Sequence, residues 1–170
     1  MGFLGRHVVA EIARRRDGCG PTVTSKCLGH DLMSPEIALQ LLVHGYPEVV
    51  IHLAGVVGGI GLNRARPADL WRENLLMGIN VLDAAQVSTS RLVLVGTTCS
   101  YPKYPRHVPF MEEELFDGYP EETNAAYGIA KRALLAGAMA YRAQYGLDIV
   151  LLIPTNLYGP GEHYEPERSH

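Results

Sequence analysis

Three short runs constrain this chain most: EVVIHLAG (48–55), RLVLVGTT (91–98) and the opening of DIVLLIPTNLYGPG (148–161). Each is continuously apolar over a strand's length, without the apolar–polar alternation of a half-exposed strand. Runs of this kind suit parallel strands covered on both faces by helices. The segments between them carry helix signals. Residues 4–16 read as a helix. Ser34-Pro35 supplies an N-cap and a first-turn proline for a helix to about Gly45. Pro67 opens a long helix to about Val87, and residues 124–145 form another. A fourth, shorter strand is expected at PTVTSK (21–26). The alternation predicts an α/β, Rossmann-like doubly wound parallel sheet.

Composition narrows the function classes. Of 170 residues, 47% are hydrophobic and 19% charged, which suits one globular domain with a real core. Fifteen Lys and Arg against eighteen Asp and Glu give a formal charge of −3, so there is no general basic footprint for nucleic acid. Arg14-Arg15-Arg16 ends a helix, where cations complement the dipole, and reads as a solvated end. No run approaches the ~18 uninterrupted apolar residues of a membrane span. Cys19, Cys27 and Cys99 form no CxxC pair, so neither a metal nor a disulfide framework is expected, and a reduced, cytoplasmic setting fits.

Two features carry chemistry. GFLGRHVV reads as the second half of a G-x-x-G-x-x-G turn, with Gly2 and Gly5 letting a phosphate approach backbone N–H groups at a helix start. Such a turn follows a strand that the chain as given does not contain. The second feature is Tyr127-Gly-Ile-Ala-Lys131. Residues four apart share a helix face, so an ammonium sits near a phenol. A nearby cation favours the phenolate, and the expectation is a tyrosine acidified for proton transfer to a ketone oxygen. By itself Tyr-x-x-x-Lys also describes an ordinary amphipathic helix. The excursion at 101–123, long for a connection in a compact domain, marks a functional loop.

Taken together, GFLG, HLAG, GTTCSYPK, YGIAK and PTNLYGPG resemble the extended short-chain dehydrogenase/reductases. Within them the chain is similar to NAD-dependent epimerase/dehydratase-type enzymes that epimerise a keto nucleotide sugar at C3 and C5 and reduce it at C4. The resemblance implies that Tyr127, Lys131 and Thr97 serve the reduction, with Thr97 in place of the usual serine. It implies that Cys99 and His170 form the acid/base pair of the epimerisation, although Arg168 departs from the Asn or Ser usual beside that histidine. Gly58 and Gly59 in VVGGI, with Asn156 and His170, would border the substrate.

For the cofactor, the expected second strand ends at Ser25-Lys26 without the carboxylate that binds a ribose 2′-hydroxyl, which suits a 2′-phosphate and so NADPH. The resemblance places Asp31 and Leu32 at the adenine, Ala54, Gly55 and Val57 along the dinucleotide, and Lys131 and Pro154 near the nicotinamide. Asn74 reads as a helix-interior asparagine outside the site. The resemblance also implies a homodimer through helices 67–87 and 124–145. The chain is expected to lack the first strand and the C-terminal substrate domain, leaving residues 1–170 as a truncated dinucleotide-binding domain that in isolation is expected to be inactive, with poor solubility or no NADPH binding. An intact Tyr127 and Lys131 argue against a non-catalytic dinucleotide sensor.

Overall fold

The computed structural model describes residues 1–15, 21–88 and 90–162. Three parallel strands form its sheet in the order β1 (Val49–His52), β2 (Arg91–Val95), β3 (Ile149–Leu152). His52 pairs with Leu94, and Leu94 in turn with Leu151. Helix α1 spans Phe3–Arg15. Helix α2 (Pro35–Leu39) is capped by Ser34, whose hydroxyl accepts from the Ile37 amide at 3.3 Å, and continues as a π-helical turn to His44. A short α3 (Ile60–Ala65) leads into α4 (Pro67–Ser88), and α5 spans Ala125–Tyr145. Gly146 ends α5 in the left-handed region at φ 68°, its amide donating to the Arg142 carbonyl at 3.0 Å.

The core lies between the sheet and the pair α4 and α5. Leu82, Leu92, Leu94, Leu134 and Leu135 are buried there, each contributing roughly 1.5–3 kcal/mol by leaving water. The helices approach closely at Gly78, where a Cβ would stand 2.4 Å from the methyls of Leu134. The parallel α/β architecture expected from the apolar runs is present. Its two faces are nevertheless unequal among the described residues. Val49, Ile51, Val150 and Leu152, at alternate positions, remain exposed on the face away from α4 and α5. Helix α1 buries none of its residues; it meets the turn after β3, where Arg6 donates to the Gly161 carbonyl at 2.9 Å.

The strand expected at 21–26 is a correction. Residues 21–25 belong to no strand or helix, and Lys26–Leu28 form a 3₁₀ turn. The residues have β-propensity, but a strand needs a neighbouring edge, and none of the described strands pairs with this segment. The expected strand at 91–98 also stops earlier, at Val95, because Thr97 caps a 3₁₀ turn over Thr98–Ser100.

Candidate active site

The C-terminal end of β2 and the first two turns of α5 bring the chemistry together. Lys131 is buried, and its Nζ donates to the Val95 carbonyl at 3.2 Å and lies 6.0 Å from the centre of the Tyr127 ring. Two residues beyond Val95, Thr97 Oγ1 accepts from the Cys99 amide at 3.2 Å. A hydroxyl has two lone pairs and a proton, so this cap leaves the Thr97 proton free for a substrate oxygen. Cys99 carries a free thiol and is half-buried. Its charge acts on the Tyr127 phenol, which places the two side chains in one electrostatic neighbourhood.

Burial reverses one expectation. Tyr127 is not acidified. Loss of water, and secondarily the charge of Cys99, push the phenol up to about 12. The same burial pushes Lys131 down to about 8. A phenolate and an ammonium are both charged forms, and desolvation penalises both. The phenol therefore keeps its proton well into the alkaline range, the form a proton donor requires.

Two further buried polar residues lie beside Gly55 and Lys131. Asn74, on α4 and almost fully buried, accepts from the Val56 amide at 3.0 Å and donates to the carbonyls of Val56 at 2.9 Å and Leu70 at 2.7 Å. It thus clamps the loop after β1 to α4, a structural part for a helix-interior asparagine. The available signal was an asparagine, a weak helix former, amid the apolar residues of α4. His52, at the end of β1, is also buried; desolvation and then the charge of Lys131 push it down to about 3. It is a neutral neighbour of that ammonium.

The other expected site residues lie around this centre with varied contacts. Gly55 is exposed; a Cβ there would stand 3.1 Å from Asn74 Oδ1 and 3.8 Å from Lys131 Nζ. Ala54 is half-buried and Val57 exposed. The Gly58 and Gly59 carbonyls accept from Asn63 Nδ2 at 2.8 and 3.1 Å, which shapes the loop before α3. Pro154 is half-buried and Asn156 exposed on the segment after β3. A bond from the Gly96 amide to the Leu152 carbonyl, 2.7 Å, ties the end of β3 beside Thr97.

Further out, Lys26 Nζ is paired with Asp31 at 2.9 Å, and Leu32 is anchored by Asn80 Nδ2 on its carbonyl at 2.8 Å. Gly2 and Gly5 open α1; a Cβ would meet nothing within 4 Å at Gly2 and only the Met1 side chain at Gly5. His170, like Cys19 and Arg16, lies outside the described residues. Arg14 and Arg15 both pair with Glu11 on an exposed helix end.

Fold and site define an α/β dinucleotide-type domain with a Tyr–Lys–Thr cluster at a strand end. The profile of the NAD dependent epimerase/dehydratase family matches residues 1–170, and the chain belongs to that family. It is 40% identical over 170 residues to GDP-L-fucose synthase of Sinorhizobium fredii, covering 99% of this chain and 53% of that protein. With GDP-L-fucose synthase of Escherichia coli it shares 41% identity over 118 residues, 69% of this chain and 36% of that protein. Among solved structures, a GDP-L-fucose synthetase from Naegleria fowleri bound to NADP superposes with a TM-score of 0.80 at 29% identity. The match covers 96% of this chain and 51% of that one. A GDP-D-glycero-L-gluco-heptose synthase from Campylobacter jejuni, solved in the presence of NADPH, gives 0.86 at 26% identity, over 96% and 48%. The chain spans about half the length of the first of these curated relatives and less of the second.

Proposed function

We propose that this chain is the catalytic, dinucleotide-binding domain (residues 1–170) of an NADPH-dependent epimerase-reductase. The reaction converts GDP-4-keto-6-deoxy-D-mannose into GDP-L-fucose. The observation that carries the reading is the meeting of Tyr127, Lys131, Thr97 and Cys99 at the end of β2. The residues present suit a nicotinamide dinucleotide. Gly55 leaves bare backbone beside the buried Lys131 ammonium, a Cβ there falling 3.8 Å from it. Lys26 is a cation for a 2′-phosphate, with Asp31 and Leu32 beside it for the adenine, while Gly2 and Gly5 at the α1 start expose backbone for phosphate. Ala54, Val57 and Pro154 would line the rest of the cofactor path.

When bound, NADPH would supply the hydride for C4. Every other step falls to the protein and the sugar. The Cys99 thiolate removes a proton from a carbon beside the 4-keto group, at C3 and at C5, and the ketone holds the resulting charge as an enolate. His170 is the acid that returns a proton to the opposite face. Tyr127 then gives its proton to the C4 oxygen, Thr97 hydrogen-bonds that oxygen, and Lys131 orients the ribose. Gly58, Gly59 and Asn156 border the sugar. The exposed apolar side chains of Trp71, Ile79 and Val87 on α4, and of Met139 on α5, support a homodimer through these helices. The free thiols of Cys27 and Cys99 support a cytoplasmic setting.

Incubating the protein with GDP-4-keto-6-deoxy-D-mannose and NADPH in D₂O tests the reading. Deuterium should enter C3 and C5, and NADPH should be consumed in equal amount to product. Tyr127→Phe should lower NADPH consumption by about 10²–10⁴-fold. Cys99→Ser should abolish deuterium entry. A second reading, an epimerase or dehydratase that retains NAD, draws on the Lys26–Asp31 pair, since the carboxylate there competes with a phosphate. Turnover with NAD and no net NADPH consumption would establish it instead.

A further inference from the structure

The Cys99–Ser100 peptide is held from two sides. From β2, Thr97 takes the Cys99 amide on its hydroxyl and the Ser100 amide on its carbonyl, at 3.2 and 3.1 Å. From α5, Gly128 and Arg132 form a second i, i+4 row beside Tyr127 and Lys131. At Gly128 a Cβ would fall 2.2 Å from the Cys99 carbonyl oxygen, so the turn lies directly on the helix backbone. The fully buried Ser100 hydroxyl donates to the Gly128 carbonyl at 2.9 Å. One turn further, Arg132 Nε donates to the Ser100 carbonyl at 2.9 Å, and a second guanidinium nitrogen donates to the same oxygen. Its remaining nitrogen donates to the Gly118 carbonyl at 2.7 Å, and the Phe116 ring lies 5.9 Å from the guanidinium carbon.

Nothing else in the sequence reading or the proposed chemistry uses Arg132. It has no carboxylate partner among the described ion pairs. A half-buried guanidinium spent wholly on two backbone carbonyls is a fixing device, because its planar fork sets both distance and angle. One of these carbonyls lies at the start of the excursion that follows Cys99, the other within it at Gly118. One side chain therefore ties the start of that excursion to Gly118 and fixes the Ser100–Tyr101 peptide, the next one after the residue that carries the thiol.

We infer that Arg132 is the positioning residue for Cys99. It aims the thiol for proton transfer and leaves the Tyr127–Lys131 chemistry to the neighbouring row of α5. This rests on the proposed epimerase-reductase reading, since it assumes that Cys99 moves protons. It adds to that reading a residue acting on epimerisation and not on reduction. A lysine at this position would keep the charge but not the fork.

The test compares Arg132→Met and Arg132→Lys with the unchanged protein by three measurements. The first is the rate of Cys99 alkylation by iodoacetamide, followed on the Cys99 peptide by mass spectrometry. The second is deuterium entry at C3 and C5 of GDP-4-keto-6-deoxy-D-mannose, and the third is NADPH consumption with that sugar. In Arg132→Met the alkylation rate should change by about fivefold or more. Deuterium entry should fall about tenfold or more in kcat, at little-changed KM, as expected for a displaced group. Arg132→Lys should recover part of each. The reductive step, measured in single turnover with epimerised sugar, should change less than about threefold. Equal losses in exchange and reduction would assign Arg132 a general structural role and overturn the inference. So would unchanged alkylation and exchange in either folded variant. If Arg132→Met does not fold, Arg132→Lys decides by the same criteria. If the unchanged protein exchanges no deuterium, the functional reading fails separately, and the inference fails with it for lack of a proton transfer to position.

Discussion

The region around β2 and α5 and the region around α1 and Lys26 work by opposite means. In the first, side chains are fixed by burial: Lys131, Asn74, Ser100 and Leu134 are almost wholly removed from water, and each polar one is bonded to backbone. In the second, the expected cofactor contacts lie at the surface. Among the described residues, helix α1 buries nothing, Lys26 is ion-paired with Asp31, and a Cβ on Gly2 would meet nothing within 4 Å. Bond-making chemistry needs fixed distances and altered proton affinities, and burial supplies both. A grip on a charged cofactor needs exposed cations and backbone donors, which remain useful in water.

The difference can be tested from its strongest consequence downward. Gly128→Ala drives a Cβ into the Cys99 carbonyl and should destabilise the protein by about 3 kcal/mol or more in urea unfolding, because backbone has little room to yield. A loss below about 1 kcal/mol would show that the turn is not locked to α5. His52→Leu comes next. The folded-state value of His52, about 3, lies below the ordinary 6.5, so the unfolded chain binds the extra proton between those values. Stability is therefore full above pH 6.5 and falls as pH drops toward 3, by about 2 kcal/mol at pH 5. In His52→Leu that part of the acid loss should vanish from a pH series of unfolding curves.

At the exposed region, Lys26→Ala should leave the unfolding curve unchanged and weaken NADPH about tenfold relative to NADH, measured by fluorescence titration. Equal weakening of both cofactors would remove Lys26 from the 2′-phosphate. The smallest effect on stability belongs to Gly2→Ala, which meets nothing within 4 Å and should unfold like the unchanged protein. Its NADPH affinity should nevertheless drop, since a methyl there would stand between a phosphate and the backbone.

Much of this was legible in the chain itself. The Ser34 cap, the long helices at Pro67 and Ala125 and the three apolar strands stand close to where local pattern put them. Such signals depend on neighbours within a few residues. The strand expected at 21–26 was not legible, because a strand is made by its partner edge and not by its own propensity. Asn74 and Arg132 were missed for a related reason. Asn74 acts on Val56, eighteen residues away, and Arg132 acts on Ser100, thirty-two residues away, contacts that no spacing within α4 or α5 announces.

The sequence by itself determined where the three strands and the long helices form, that Tyr127 and Lys131 share one helix face, and that a thiol and a hydroxyl follow β2. Only the tertiary structure decided the proton affinities of that pair. Spacing brings a phenol and an ammonium together, but it says nothing about how much water is left around them. That depends on how α4, α5 and the sheet close over the site, and the burial they impose raises the tyrosine to about 12 and lowers the lysine to about 8.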